Sequence, residues 1–397
     1  MVDSIKNKVL VREFNEERDI EVVGKLERDC ETGSSKGTSM FTNMMSDPLC
    51  RIRFYSLHFM LVAELRENGE LVGVIRGCIK HVGTILGGTH VKLGCILGLR
   101  VSPRHRRMGI GLELVKSIEE WLISNGADYT FLATEKNNVA STNLFSIRCS
   151  YMNLSSLVIF VQPISFPLKA LSKDVKVEKL HVDQAIALYY NKLRGKDIYP
   201  TDIDAILREK LSLGTWVSYF KDDEWIGLHS KEKNEDFVTS SPSTWVVFSI
   251  WNTCEAYKIH IRKSHPLKFF HSTLTHARDK IFTCFKLPIC DSLEKPFGFL
   301  FLYGLYGEGG RLGELMKSAW SFASRLTENV KDCKMIITEL GVSDPLIEHV
   351  PKDSSISCIN DLWYLKKVNG INNNVDQDHL MNTGGELGNV FIDPRDF

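Results

Sequence analysis

A chain of 397 residues, 43% of them hydrophobic, is long enough for two ordinary globular domains. Its 49 basic and 49 acidic residues cancel, which argues against bulk electrostatic capture of nucleic acid. Ten scattered cysteines without close CxxC pairs argue against a zinc-type metal site and for reduced thiols in an intracellular protein of nucleus or cytoplasm. No run of about 20 apolar residues offers a membrane span.

In chain order, KVLVREF (8–14) is expected to be a first strand, and Ile20, Val23, Leu26 and Cys30 recur at helical spacing. Residues 32–50 are rich in turn formers and are expected to be a loop. LHFMLVAEL (57–65) and LVGVIRGCI (71–79) form a hairpin around Asn68-Gly69. HVGTILGGTH (81–90) is a Gly-rich turn, and VKLGCILGLRVSP (91–103) a long strand ending at Pro103. Leu112, Val115, Ile118 and Leu122 then mark the apolar stripe of a helix that Gly126 ends. A strand (127–134), a shorter helix (137–149) and a closing strand (153–161) complete a mixed α/β layer, with Pro163 and Pro167 at its boundary. Two hairpin strands precede the glycine motif, which excludes a doubly wound nucleotide fold.

Between the long strand and the helix stands Arg106-x-x-Gly109-x-Gly111. A tight strand-to-helix turn aims unpaired amides and the positive end of the helix dipole in one direction, a site for a pyrophosphate. Glycine lets the backbone close on the phosphate, and Arg106 and Arg107 add charge-assisted bonds. The residues alone leave three readings open. They are a phosphate cradle, a tight turn with a solvated basic rim, and nucleic-acid contact through Arg100, Arg104, Arg106 and Arg107. No Gly-Lys-Ser/Thr occurs at Walker A spacing.

VSPRHRRMGIGLELVKSIEEWLISNGADYTFLAT resembles the core motif of the GCN5-related N-acetyltransferase (GNAT) superfamily. TEKNNVASTNLFSIRCSY (134–151) supplies the second signal, a strand followed by a short asparagine-containing helix. GLRVSPRHRRMGIG, ATEKNNVASTNLF and FLYGLYGEG are similar to the plant HOOKLESS1-like N-acetyltransferases, a group associated with growth control. The resemblance implies an α/β GNAT acyltransferase fold with a mixed central sheet and acetyl-CoA as acyl donor. It implies a gap near Gly98 where Leu99 and Val101 face the pantetheine and thioester. Arg106, Arg107, Met108, Gly109, Ile110 and Gly111 would hold the cofactor, with Asn138 near its pantetheine arm; the bland alternative for Asn138 is a helix cap.

The later chain carries echoes of the first half. GRLG (310–313) follows RRMG (106–109) by 204 residues, as Thr338-Glu339 follows Thr134-Glu135 and DLWYL (361–365) follows LVIFV (157–161). Residues 1–164 are therefore expected to be a catalytic GNAT domain, 165–370 a degenerate GNAT-like domain with Leu315 in place of the second glycine, and 371–397 a flexible acidic tail. The expected protein is a monomer whose two domains pack as a pseudo-dimer.

Acetyl transfer needs a base for the amine, an oxyanion donor and a proton for the departing thiolate. Glu135 ends the fifth strand and Glu64 a hairpin strand; both are base candidates, and the plainer reading of each is a solvated surface acid. Phe145 stands where relatives have the tyrosine that protonates the thiolate, and a phenyl ring donates no proton; Tyr151 is the nearby alternative. The expected reaction is direct attack in a ternary complex. The acceptor is a protein lysine or N-terminus, a histone or another protein. The alternatives are a small-molecule amine acceptor and a catalytically impaired acyl-CoA-binding regulator.

Overall fold

The structure is a computed structural model and describes residues 8–30, 32–33, 38–84, 90–164, 172–225, 228, 241–263, 295–352, 357–368 and 387–397. The first half runs β1 (Val9–Glu13), α1 (Glu16–Asp29), β2 (Thr32–Gly33), β3 (Thr38–Asn43), β4 (Leu57–Leu65), β5 (Leu71–Thr84), β6 (His90–Val101), α2 (Ile110–Ser124), β7 (Tyr129–Glu135), α3 (Val139–Thr142) continued by a π-turn at Asn143–Arg148, and β8 (Met152–Pro163). The second runs β9 (Val175–Lys179), α4 (Val182–Lys192), β10 (Ile198–Pro200), α5 (Ile203–Arg208), β11 (Ser212–Phe220), β12 (Trp245–Asn252), β13 (Lys258–Lys263), β14 (Gly298–Glu308), α6 (Leu312–Leu326), β15 (Cys333–Gly341) and β16 (Ser357–Lys367). No helix among the described residues is long and apolar enough to cross a membrane.

The local causes are plain. Asn15 caps α1 by accepting from the Arg18 amide at 3.0 Å. Gly69, at φ 71°, turns the β4–β5 hairpin, and the Asn68 side chain accepts from the Glu70 amide. α2 buries Ile110, Leu114, Val115, Ile118 and Leu122 against the sheet, and Gly126, at φ 82°, terminates it. The expected loop at 32–50 contains β3, which pairs with β13 in a separate small sheet. The helix α4 was not legible in advance; a capping box between His181 and Gln184 starts it.

The large sheet runs β1-β4-β5-β6-β7-β16-β8-β15-β14-β12-β11-β9. Its centre is an exchange of closing strands. β8 pairs with β15, and β16 pairs with β7, so each half's last strand fills the other half's open edge. β8 and β16 also pair with each other, with Leu157 directly opposite Asp361. One apolar cluster runs along a single face of the sheet across both halves, from Val23 and Phe131 to Tyr303 and Phe391. On the opposite face the halves separate, with α2 covering one and α6 the other.

Residues 387–397 lie in the middle of this architecture, and the expected flexible tail is corrected there. Leu387, Val390, Phe391 and Ile392 are buried, and Phe397 stacks on Phe301 at 4.3 Å. Arg395 reaches Asp393 and Asp202 at 2.7 Å each, and Tyr55 donates to Asp396 at 2.5 Å. Enough apolar surface is carried by this acidic segment to bury it, and its charges are paired rather than solvated. Residues 371–386 fall outside the described set.

The two helices that follow the long strands also change the expected register. Gly111 is the second residue of α2 and Gly313 the second of α6, so these positions are 202 residues apart. Leu315 is fully buried on the apolar face of α6 and does not stand at the helix entrance.

Trp363 of β16 packs edge-on to Phe131 of β7 at 4.9 Å across the exchanged seam. Trp363→Ala is expected to cost about 3–5 kcal/mol. Urea unfolding of this variant should remain one cooperative transition by circular dichroism and fluorescence; two separated transitions would show that the halves unfold independently.

Candidate active site at the opening between β6 and β7

β6 and β7 run parallel and share a register only from Leu93–Tyr129 to Cys95–Phe131. Beyond that pair they diverge, three residues before the expected point at Gly98. On the far side β6 stays paired with β5, with a bulge between Val74 and Arg76 that Gly98 accommodates at φ 59°. Arg76 pins the bulge. Its guanidinium is 1% exposed and donates to Glu27 at 2.5 Å, to the Pro48 carbonyl at 2.6 Å and to the Gly98 carbonyl at 3.4 Å. A Cβ at Gly98 would lie 2.6 Å from Arg76 Nη1 and would sit at a φ that strains an L side chain, so the position favours glycine. Because β6 has left, Ala133 in the middle of β7 is exposed while its neighbours Leu132 and Thr134 are buried.

The turn after β6 passes through a short 3-10 segment at Pro103–His105 and places Arg107 (φ 66°) and Gly109 (φ 87°) in the left-handed region. α2 then begins at Ile110 with no side chain capping it. The first amides of a helix have no intrahelical acceptors, so those of Ile110, Gly111 and Leu112 point outward with the positive dipole end. Arg106, Arg107 and Met108 are exposed around them, and Arg106 Nε lies 3.3 Å from the Val101 carbonyl. Added to Gly111, a Cβ would meet protein atoms only at 3.6–3.9 Å, ordinary contact. The chain's own packing therefore does not require glycine there, and the space before the amides stays clear. Uncapped amides, flanking arginines and a missing Cβ together fit the pyrophosphate of a coenzyme A. The stretch where β6 has left β7, with Leu99 and Val101 on one strand and Ala133 on the other, is where the acyl end would lie. Such a group would supply the activated acetyl, and this chain's residues would hold and orient it.

The remaining candidates part company. Glu135 ends β7 opposite Asp361 of β16, two residues beyond the exposed Ala133. Glu64 is two strands away from β6 and is bound at 2.8 Å by both Arg12 and Arg18, so the structure does not bring it to the opening. Tyr151 is also corrected. Its hydroxyl donates to buried Glu119 of α2 at 2.7 Å, and burial with that carboxylate beside it raises the phenol well above its usual range. Lys366 of β16 binds the same carboxylate at 2.9 Å. Phe145 is buried and packs edge-on to Tyr151. The Asn138 side chain accepts from the Ser141 amide at 3.1 Å, the capping role.

With this geometry in view, comparison with known proteins is informative. The Acetyltransferase (GNAT) family profile matches residues 25–151. The Arabidopsis thaliana protein named "Probable N-acetyltransferase HLS1" is 37% identical over 404 residues, covering 98% of this chain and 100% of that one. The chain belongs to the GNAT superfamily, among the plant HLS1-like acetyltransferases. A rice relative, "Acetyl transferase GW6a", is 29% identical over 98% of this chain and 97% of its own. Among solved structures, Saccharomyces cerevisiae N-myristoyltransferase with bound myristoyl-CoA shares the fold, with a TM-score of 0.53 at 13% identity over 91% of this chain and 80% of that one. As a GNAT member the protein is an acetyl-CoA-dependent acyltransferase with an amine acceptor.

Arg76 was not singled out beforehand, although a lone arginine inside the apolar run LVGVIRGCI was a visible signal.

Two predictions follow from the geometry. Gly111→Ala should leave the fold intact and raise stability by up to about 1 kcal/mol, because alanine is the better helix former. Its Cβ should nevertheless lower acetyl-CoA affinity, and Gly109→Asp should lower it at least tenfold, both read by calorimetry. Unchanged affinity in both variants would remove the cradle. Tyr151→Phe should keep kcat within about twofold and lose about 1 kcal/mol of stability, since its hydroxyl serves Glu119. A large fall in kcat with unchanged melting would return the phenol to the chemistry.

Proposed function

We propose that residues 1–164 carry the acetyl transfer and that residues 165–370 are a second copy of the same fold, which shapes the acceptor site without holding acyl-CoA. The observation that supports this is the unequal state of the two openings. β6 and β7 share three paired positions before parting, whereas β14 and β15 stay paired over five residues of β14, up to Leu302–Thr338, where the Thr338 hydroxyl closes on the Leu302 carbonyl at 2.7 Å. The helix entrances differ likewise. α2 begins bare, but before α6 the Gly310 amide donates to Thr244 Oγ1 at 3.2 Å, and Arg311 is paired with Glu314 at 2.8 Å. A Cβ on Gly309 would lie 2.2 Å from the Ser243 carbonyl, so chain already occupies that space. Two bulge glycines at similar φ, Gly98 at 59° and Gly304 at 62°, and two 15-residue helices support common descent of the halves.

In this reading the pyrophosphate lies on Arg106, Arg107, Met108, Gly109, Ile110 and Gly111. The thioester carbonyl faces the β6 backbone at Leu99 and Val101, and Asn138 borders the pantetheine arm. The acceptor is an amine on a protein, a lysine or an N-terminus, brought between the halves. Positioning two bound substrates supplies much of the rate. Among the described residues Cys30, Cys50, Cys78, Cys95, Cys149, Cys254 and Cys333 are buried thiols outside any disulfide, which suits a nuclear or cytoplasmic protein. A second reading, an acyl-CoA-binding regulator with little turnover, is favoured by one observation: the Tyr151 hydroxyl is committed to Glu119 and Phe145 donates nothing.

The test is thiol release from acetyl-CoA by the full chain, with core histones, a peptide with a free N-terminus and spermidine as acceptors. Turnover greatest with histones or the peptide is expected. Spermidine as the best acceptor would favour small amines. Acetyl-CoA binding with no turnover on any acceptor would favour the regulator.

A further inference from the structure

Resting on the acetyl-transfer reading, we propose that Asp361 and Glu339, both contributed by the second half, complete the first half's opening: Asp361 takes the proton from the acceptor ammonium and Glu339 holds its nitrogen.

The placement comes from register. Asp361 of β16 is opposite Glu135 of β7 on one side and Leu157 of β8 on the other, and Glu339 of β15 is opposite Ile159 of β8. Directly paired residues on neighbouring strands face the same side of a sheet. Leu157, Ile159, Phe131 and Trp363 all belong to the apolar cluster shared by both halves or pack against it, so Asp361, Glu339 and Glu135 face that side too. Ala133, the exposed residue where β6 leaves β7, is opposite Trp363, two residues along β16 from Asp361. Asp361 thus stands on β16, the strand next to β7, and Glu339 on the same face of the sheet two strands further on, in β15, near enough for the two carboxyls to influence each other.

Their state is unusual for structural acids. Asp361 is 9% exposed and Glu339 5% exposed, yet among the described residues neither is in an ion pair and Glu339 Oε1 is buried with no hydrogen-bond partner. A buried carboxyl oxygen without a donor is costly to keep. Other buried acids here are satisfied: Asp344 by Lys196 at 2.9 Å, Asp393 by Arg395 at 2.7 Å and Asp19 by Arg12 at 2.7 Å. An incoming ammonium or amine has the donors Glu339 lacks.

The two acids also differ in the way a base and a holder should. Burial pushes the Asp361 carboxyl up to about 7, with Glu135 adding to the rise against one backbone hydrogen bond. Burial first, then Asp361 and Asp396, lifts Glu339 well above the usual carboxylate range. The charged groups facing the pair are Glu135 from β7 and Asp396 from the 387–397 segment, the latter itself bound to Lys80 of β5. Asp361 therefore sheds its proton first and is the carboxylate near neutrality, where a general base acts best.

The step balances as follows. The Asp361 carboxylate accepts one proton from R–NH3+. The freed lone pair forms the C–N bond to the thioester carbonyl carbon, and the C–S bond breaks with its electron pair on sulfur. The remaining surplus N–H proton goes to the departing thiolate, and Asp361 returns its proton to solvent. The products are the amide, the free thiol and one proton.

The test uses the full chain with the best acceptor among core histones, the free-N-terminus peptide and spermidine. For the wild type, kcat/KM should fall as pH drops through about 7, as the base becomes protonated. Asp361→Asn should lower kcat about 10²-fold or more, the usual worth of a general base, and abolish that limb, with acetyl-CoA affinity unchanged by calorimetry. Asp361→Glu should restore part of kcat together with a pH limb, which a purely structural role would not do; it also covers the case in which the asparagine variant fails to fold. Glu339→Leu should raise the acceptor KM several-fold while the limb stays. A wild-type rate with its limb intact in both Asp361 variants overturns the proposal and leaves acetyl transfer standing. Acetyl-CoA binding without turnover on any acceptor overturns both.

Discussion

The pairing of β8 with β16 at the centre of the sheet is the constraint on which the rest depends. Backbone N–H and C=O groups in a buried strand must be paired, and an open edge buried in a core would leave a row of them unmet. Here β7 and β15 each present an edge that their own half does not fill. The closing strand of the other half fills it, and the two closing strands then satisfy one another. The apolar cluster on one face is continuous across this seam, and residues 387–397 lie over it with contacts to both halves through Tyr55, Asp202 and Phe301. Neither half presents a complete sheet without the other.

That arrangement puts second-half side chains beside a first-half opening. β16 is the strand next to β7, so Asp361, Trp363 and Lys366 are neighbours of Glu135, Ala133 and Thr130 although more than 200 residues separate them in sequence. Lys366 reaches through to Glu119 of α2 and thereby helps hold Tyr151, which ties the helix of the proposed cofactor cradle to the other half of the chain. The two halves differ in how far their pairs of parallel strands stay zipped. Where β6 leaves early, a mid-strand alanine is exposed and the following helix starts bare. Where β14 stays longer, a threonine hydroxyl and the Ser243–Thr244 backbone take up the equivalent space.

Most of the strands and both long helices of the central layer were legible in the sequence, because each is specified by its own periodicity and its own turn residues: the Asn68-Gly69 hairpin, the stripe on α2, the stop at Gly126. The turn proposed as a cradle was legible for the same reason, since a strand, a turn with φ > 0 at Gly109 and a bare helix start are all local. The second half was harder. Its landmarks in β15 and β16 kept the spacing of 204, but its turn is shorter, so α6 begins two residues out of step and Leu315 belongs to the core rather than to the entrance. The 387–397 segment misled because it was taken together with the polar, acid-containing run before it, although five of its eleven residues are large and apolar, and composition does not reveal that Asp393 pairs with Arg395 and Asp396 with Lys80 of β5.

By itself, the sequence determined the α/β layer, the family and the glycine turn that leads into α2, all properties of stretches short enough for neighbours along the chain to define them. Only the tertiary structure decided which strand lies beside which. It therefore decided that Glu64 is spent on Arg12 and Arg18, that the Tyr151 proton goes to Glu119, and that Asp361 and Glu339 are buried at the seam. The physical reason is that the cost of a charge depends on its surroundings, and here those surroundings are assembled from strands exchanged between distant parts of the chain.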